Sequence, residues 1–142
     1  MARFAGDFLL QLQPKTDAAS IIALSGDLGA GKTTFAQALA GALGVEETVN
    51  SPTFVIEKIY SLSGQKWQHL IHIDAYRLKS AEELHALGWD EIAADQNNLI
   101  VIEWPENVSV VIPETAHKIR IEIGDSSTAL GTLNFVTAFG GQ

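Results

Sequence analysis

The chain reads as an α/β domain: a mixed sheet with parallel central strands, flanked by helices and closed by a β-hairpin. Three observations predict this. Ile21–Leu24 and Leu99–Ile102 are short, wholly apolar runs, the pattern of strands buried on both faces. The first run opens directly into a glycine-rich segment, and an amphipathic helical stretch follows. Stretches of helical period separate the strand-like runs, as crossover connections between parallel strands require. A length of 142 residues suits one domain, residues 1–142, with a core large enough to need no staples.

Taken in order, Phe4, Phe8, Leu9 and Leu12 fall at helical spacing, and Pro14 ends that helix. Ile21–Leu24 is a strand. Phe35, Leu39 and Leu43 recur every four residues with Gly44 beyond them as a C-cap, giving a second helix. Val55–Tyr60 and Trp67–Asp74 read as strands joined through a loop at Ser61–Lys66. Ser80 with Glu83 three residues later suggests a capping box, Ala81, Leu84 and Leu87 supply an apolar face, and Gly88 interrupts the helix. Leu99–Ile102 is a strand ending on Glu103. Lys118–Ile123 and Thr132–Val136 form a terminal hairpin around Gly124-Asp125-Ser126.

Composition excludes several classes of function. The absence of cysteine removes disulfides, thiolate metal sites and cysteine nucleophiles. Nine basic residues stand against 17 acidic ones, a net charge of -8, and the only arginines are Arg3, Arg77 and Arg120. A protein that grips nucleic acid by itself shows a basic patch, and none is visible. In a nucleic-acid pathway another subunit would make that contact. No signal-like segment or membrane-length apolar run appears, so the expectation is a cytoplasmic protein.

The strongest motif is Gly26-Asp27-Leu28-Gly29-Ala30-Gly31-Lys32-Thr33, a full match to the phosphate-binding loop G-x-x-x-x-G-K-[ST]. Its glycines let backbone N–H groups turn toward phosphate oxygens, and the following helix points its positive dipole end at them. Lys32 would reach the β- and γ-phosphates and the Thr33 hydroxyl would coordinate Mg²⁺. The fold class therefore sharpens to a single P-loop NTPase domain. Such a domain needs a carboxylate at the end of a neighbouring strand. Glu103 and Asp74 both end apolar runs, and both are candidates. Thr53, in Ser51-Pro52-Thr53, is a candidate γ-phosphate sensor or simply part of a turn. Arg77 suits a phosphate, a partner or a structural ion pair. Trp104 lines the site or the core. His69, His85 and His117 lack metal-ligand spacing.

Together, GDLGAGKTT at residues 26–34, SPTF at 51–54, HIDAYRL at 72–78, AEELHALGWD at 81–90 and IEWP at 102–105 resemble the bacterial TsaE (YjeE) family in order and spacing. The resemblance runs from about Ile21 to Pro105. It implies an ATPase, weak alone and dependent on its complex, that works with TsaD and TsaB to make threonylcarbamoyladenosine in tRNA, touching tRNA only through them. It implies that Asp27–Thr34, including Leu28, Gly29, Ala30, Gly31 and Lys32, hold ATP, that Thr33 and Glu103 ligate Mg²⁺, and that Asp74 acts through Mg²⁺ waters or the attacking water. It puts Thr53 in a switch-like loop and Trp104 near the nucleotide. Family members carry an N-terminal strand segment that contributes to adenine binding, whereas this sequence begins almost inside the first helix.

The alternative is a small P-loop kinase, disfavoured because only Arg77 and Arg120 follow the loop to clamp a transferred phosphoryl group. A GTPase lacks support because Asn97-Asn98 leads into Leu99 rather than the guanine-reading Asn-Lys-x-Asp. A partner-binding domain with incidental hydrolysis is the third alternative.

Overall fold

The computed structural model describes residues 2–27, 29, 31–46, 56–123 and 134–140. Its elements are α1 (Ala2–Gln11), β1 (Ser20–Ser25), α2 (Lys32–Ala42), β2 (Glu57–Ser61), β3 (His69–Asp74), α3 (Ala81–His85), α4 (Trp89–Ala94), β4 (Asn98–Glu103), a 3₁₀ stretch Pro105–Val111, β5 (His117–Ile123) and β6 (Asn134–Gly140). They form one six-stranded sheet in the order β2-β3-β4-β1-β5-β6. The four central strands β3, β4, β1 and β5 run parallel, and β2 and β6 close the edges antiparallel. This is the mixed, centrally parallel sheet the sequence predicts.

Alternation along β1 sorts the core into two layers. Ile22 and Leu24 pack with Phe35, Leu39 and Leu43 of α2, Leu9 and Leu12 from the α1 region, and Leu70, Leu99 and Val101. Ile21 and Ala23 face the other way, toward Leu84, Trp89 and Val108 with Ile71, Ile73, Ile100 and Ile102. β4 is buried at every position, so it has no polar face to show.

The end of α2 follows its residues closely. Gly44 takes φ 84°, and the N–H groups of Gly44 and Val45 return to the carbonyls of Gly41 and Ala40 at 3.1 and 3.0 Å. That is a Schellman C-cap, which needs the left-handed residue that glycine supplies.

Some expectations change. Ser80 sits at the N-cap of α3 but its side chain makes no capping bond, and the Glu83 carboxylate accepts from the N–H of Lys79 at 2.9 Å instead. Gly88, at φ 86°, interrupts the helix as expected and divides it into α3 and α4. Trp67 precedes β3, buried, with its indole N–H on the Ser20 hydroxyl at 3.2 Å. β2 begins at Glu57, and Val55 lies outside the described residues. In the terminal hairpin Ile123 pairs with Asn134, and Gly124-Asp125-Ser126, where the turn is expected, lies outside the described residues.

Lys66 forms a contact that no local pattern announces. Its ammonium donates to the carbonyls of Leu9, Leu10 and Leu12 at 3.1, 3.3 and 2.9 Å. A cation at a helix C-terminus satisfies carbonyls that lack intrahelical partners and complements the dipole. Lys66→Met keeps the stem and removes the charge. It is expected to cost about 0.5–1 kcal/mol, read as a lower denaturant midpoint at unchanged slope.

Candidate functional site

The site lies at the carboxyl ends of β1, β3 and β4, where open α/β sheets gather their ligands. β1 runs into the glycine loop, in which Gly26, Gly29 and Gly31 take φ 147°, 82° and 105°. A Cβ at Gly29 would meet nothing within 4 Å, so there the backbone conformation itself calls for glycine. Gly31 is the N-cap of α2. No side chain caps the helix, and its first turn carries no acidic residue to compete for its N–H groups. This end of α2 therefore presents backbone donors and a positive dipole, which suit an anion.

Lys32 is 5% exposed. Its ammonium donates to the carbonyls of Gly26 and Asp27 at 2.6 and 2.8 Å and sits 4.3 Å from the centre of the Trp104 ring. Burial lowers its pKa from the ordinary 10.5, against the opposing pull of Glu103, Glu106, Asp27 and Asp74. A cation held at this desolvation cost over the loop is a ready counter-charge for phosphate.

β3 and β4 pair in register, and Asp74 lies opposite Glu103. The two carboxylates are equivalent in sequence, but their surroundings differ. Glu103 is 3% exposed, and the Thr33 hydroxyl donates to its Oε1 across a long 3.4 Å. Its other oxygen, Oε2, meets Nε2 of His72 at 2.6 Å. Asp74 is half-buried, and its Oδ1 accepts from the N–H of Tyr76 at 3.0 Å. The turn after β3 is fixed from across the site by Asn107, whose amide donates to the carbonyls of Ala75 and Tyr76 at 2.8 and 3.1 Å.

Trp104 follows Glu103 in the left-handed region, φ 60° and ψ 51°, the one described non-glycine residue with positive φ. Its N–H is held by the Leu24 carbonyl at 3.2 Å, and its ring lies 5.0 Å from Tyr76. That backbone turn points the indole at Lys32 instead of leaving it wholly in the core, and strained backbone of this kind collects at working sites.

Of the residues singled out from sequence, Gly31, Lys32, Thr33, Glu103, Asp74 and Trp104 converge here. Asp27 and Gly29 lie on the exposed side of the loop, and Thr34 is exposed on α2. Leu28, Ala30 and Thr53 lie outside the described residues. Sequence reasoning noted His72 in HIDAYRL without giving it a role, and passed over Asn107. For His72 a signal existed: it stands two residues before Asp74, on the same face of β3.

The oxygen donors brought together, a threonine hydroxyl and a carboxylate, are hard ligands that fit Mg²⁺, which is commonly held by one or two protein oxygens with phosphates and waters. Among the described residues no group of three or more His, Cys, Asp or Glu gathers to form an all-protein cage.

The chain is similar to known proteins in sequence and in fold. The family model described as "Threonylcarbamoyl adenosine biosynthesis protein TsaE" matches residues 2–130. A protein of Haemophilus influenzae named "tRNA threonylcarbamoyladenosine biosynthesis protein TsaE" is 32% identical, over 98% of this chain and 90% of that one. Its namesake in Rickettsia typhi is 34% identical over 96% and 91%, and that of Streptomyces coelicolor 39% over 78% and 74%. The crystal structure of Bacillus subtilis YdiB superposes with a TM-score of 0.67 at 26% identity, covering 99% of this chain and 82% of that one.

Proposed function

Because the chain belongs to the TsaE family, whose name places it in threonylcarbamoyladenosine biosynthesis for tRNA, we propose that it is the Mg²⁺-dependent ATPase subunit of that pathway, a cytoplasmic protein acting with TsaB and TsaD. The observation that carries this reading is the meeting of Thr33 and Glu103, 70 residues apart in sequence, beside the Lys32 ammonium at the end of a glycine loop.

In this reading Leu28–Thr34 and the first turn of α2 hold the phosphates of ATP, with the Asp27 carbonyl shaping the loop. Lys32 leaves its two carbonyls for the β- and γ-phosphates, exchanging neutral acceptors for charged ones. Thr33 and Glu103 hold the Mg²⁺. The metal, when bound, neutralises charge that develops on the phosphates. Asp74 orients the attacking water, and Thr53 reports the γ-phosphate. Trp104 keeps an apolar, polarisable wall beside Lys32. The net charge of -8 supports leaving the tRNA to the partner proteins.

The reading is tested by ATP hydrolysis with Mg²⁺, first by the purified protein and then with TsaB and TsaD from the same source. Slow turnover that rises with the pair is the expected result. Turnover indifferent to them, or a phosphoryl acceptor consumed in step with ATP, would remove the proposed coupling and favour a kinase.

A further inference from the structure

His72 is a buried side chain whose place in the core no hydrophobic argument explains. It is 1% exposed, and its Nδ1 is buried without a hydrogen-bond partner among the described residues. An orphaned buried nitrogen carries a desolvation cost, which an apolar residue at this strand position would avoid. The other ring nitrogen gives the reason to keep it. β3 pairs His72 with Val101 and Asp74 with Glu103, which makes His72 the diagonal neighbour of Glu103 on the face turned to α2. There Nε2 meets Oε2 of Glu103 at 2.6 Å. An ionised carboxylate only accepts, so Nε2 carries the proton and donates a short, charge-assisted bond.

The two oxygens of Glu103 are thereby sorted. Oε2 is held by His72, and Oε1 is turned to the Thr33 hydroxyl. The geometry points to His72 as a positioning residue that locks the Glu103 carboxylate so that Oε1 faces Thr33 and the metal. This rests on the proposed role of Glu103 at Mg²⁺. Without His72 the carboxylate would keep its burial and lose its one short hydrogen bond. It would then be free to turn toward the Lys32 ammonium, and the donor pair would come apart.

The test is a Mg²⁺ titration of the binding of a fluorescent ATP analogue to the purified protein. His72→Leu is expected to raise the Mg²⁺ requirement about 10- to 100-fold while leaving metal-free analogue affinity nearly unchanged. His72→Gln, whose amide nitrogen reaches the place of Nε2, is expected to restore most of the response, and the shorter His72→Asn is not. An unchanged Mg²⁺ requirement in His72→Leu, or equal behaviour of Gln and Asn, overturns the proposal. Should the Leu variant not fold, the Gln and Asn pair decides. In metal-free wild-type protein, nitrogen NMR of the imidazole is expected to show Nε2 protonated, and a bare Nε2 overturns the donor role. Glu103→Gln separates the two ideas. If it leaves the Mg²⁺ requirement unchanged, the metal reading falls and this one with it. If it raises the requirement and His72→Leu does not, only the positioning role falls.

Discussion

Lys32→Ala is expected to weaken ATP binding by about a hundredfold or more, since two hydrogen bonds from a charged donor are worth about 1.5–3 kcal/mol each. The fold should survive the change. What Lys32 holds is two backbone carbonyls and the face of Trp104, and what it costs is the burial that depresses its pKa. Removing it loses these contacts but recovers the desolvation of a buried charge, which offsets part of the loss. Lys32→Arg is not expected to rescue binding, because a planar guanidinium does not fit a pocket built around a compact ammonium. Calorimetric titration with ATP and a thermal melt of the same sample check both halves. Unchanged affinity would sink the assignment of the loop.

Glu103→Gln is expected to lower Mg²⁺-dependent hydrolysis by about a hundredfold or more, because it removes a buried charge placed in advance at the proposed metal position. Gln is nearly isosteric and its amide oxygen can still accept from His72, so the core around β4 should stay intact. Nucleotide affinity measured without Mg²⁺ should therefore change little. The comparison decides between two carboxylates. Should binding with and without Mg²⁺ fall together, Glu103 is a structural residue and Asp74, its neighbour across β3 and β4, becomes the metal ligand.

Local pattern carried much of the fold. The apolar runs of β1 and β4 read as buried strands, and the structure has them so. Gly44 and Gly88 marked a helix end and a helix break because each sits at positive φ. Expectations failed where two local signals competed. The Ser80–Glu83 spacing suited a capping box, yet Glu83 reached the N–H of Lys79. The terminal hairpin was legible as well, and seven residues of β5 pair with seven of β6. Register in such a pair is specific because a slip of one residue would turn every side chain to the wrong face.

By itself the sequence determined the chemistry available: a glycine loop of the phosphate-binding pattern, a lysine and threonine at a helix start, two carboxylates ending strands, no cysteine, and a net charge of -8. Tertiary structure alone decided which of these meet. The order β2-β3-β4-β1-β5-β6 puts β4 beside β1, and so brings Glu103 rather than a residue near in sequence to Thr33. Parallel pairing sets His72 diagonally from Glu103, and the left-handed turn at Trp104 aims its ring at Lys32. These contacts join residues 31 to 72 positions apart, and no period or motif spans such distances. Only the packing of the sheet between its two layers brings them into register.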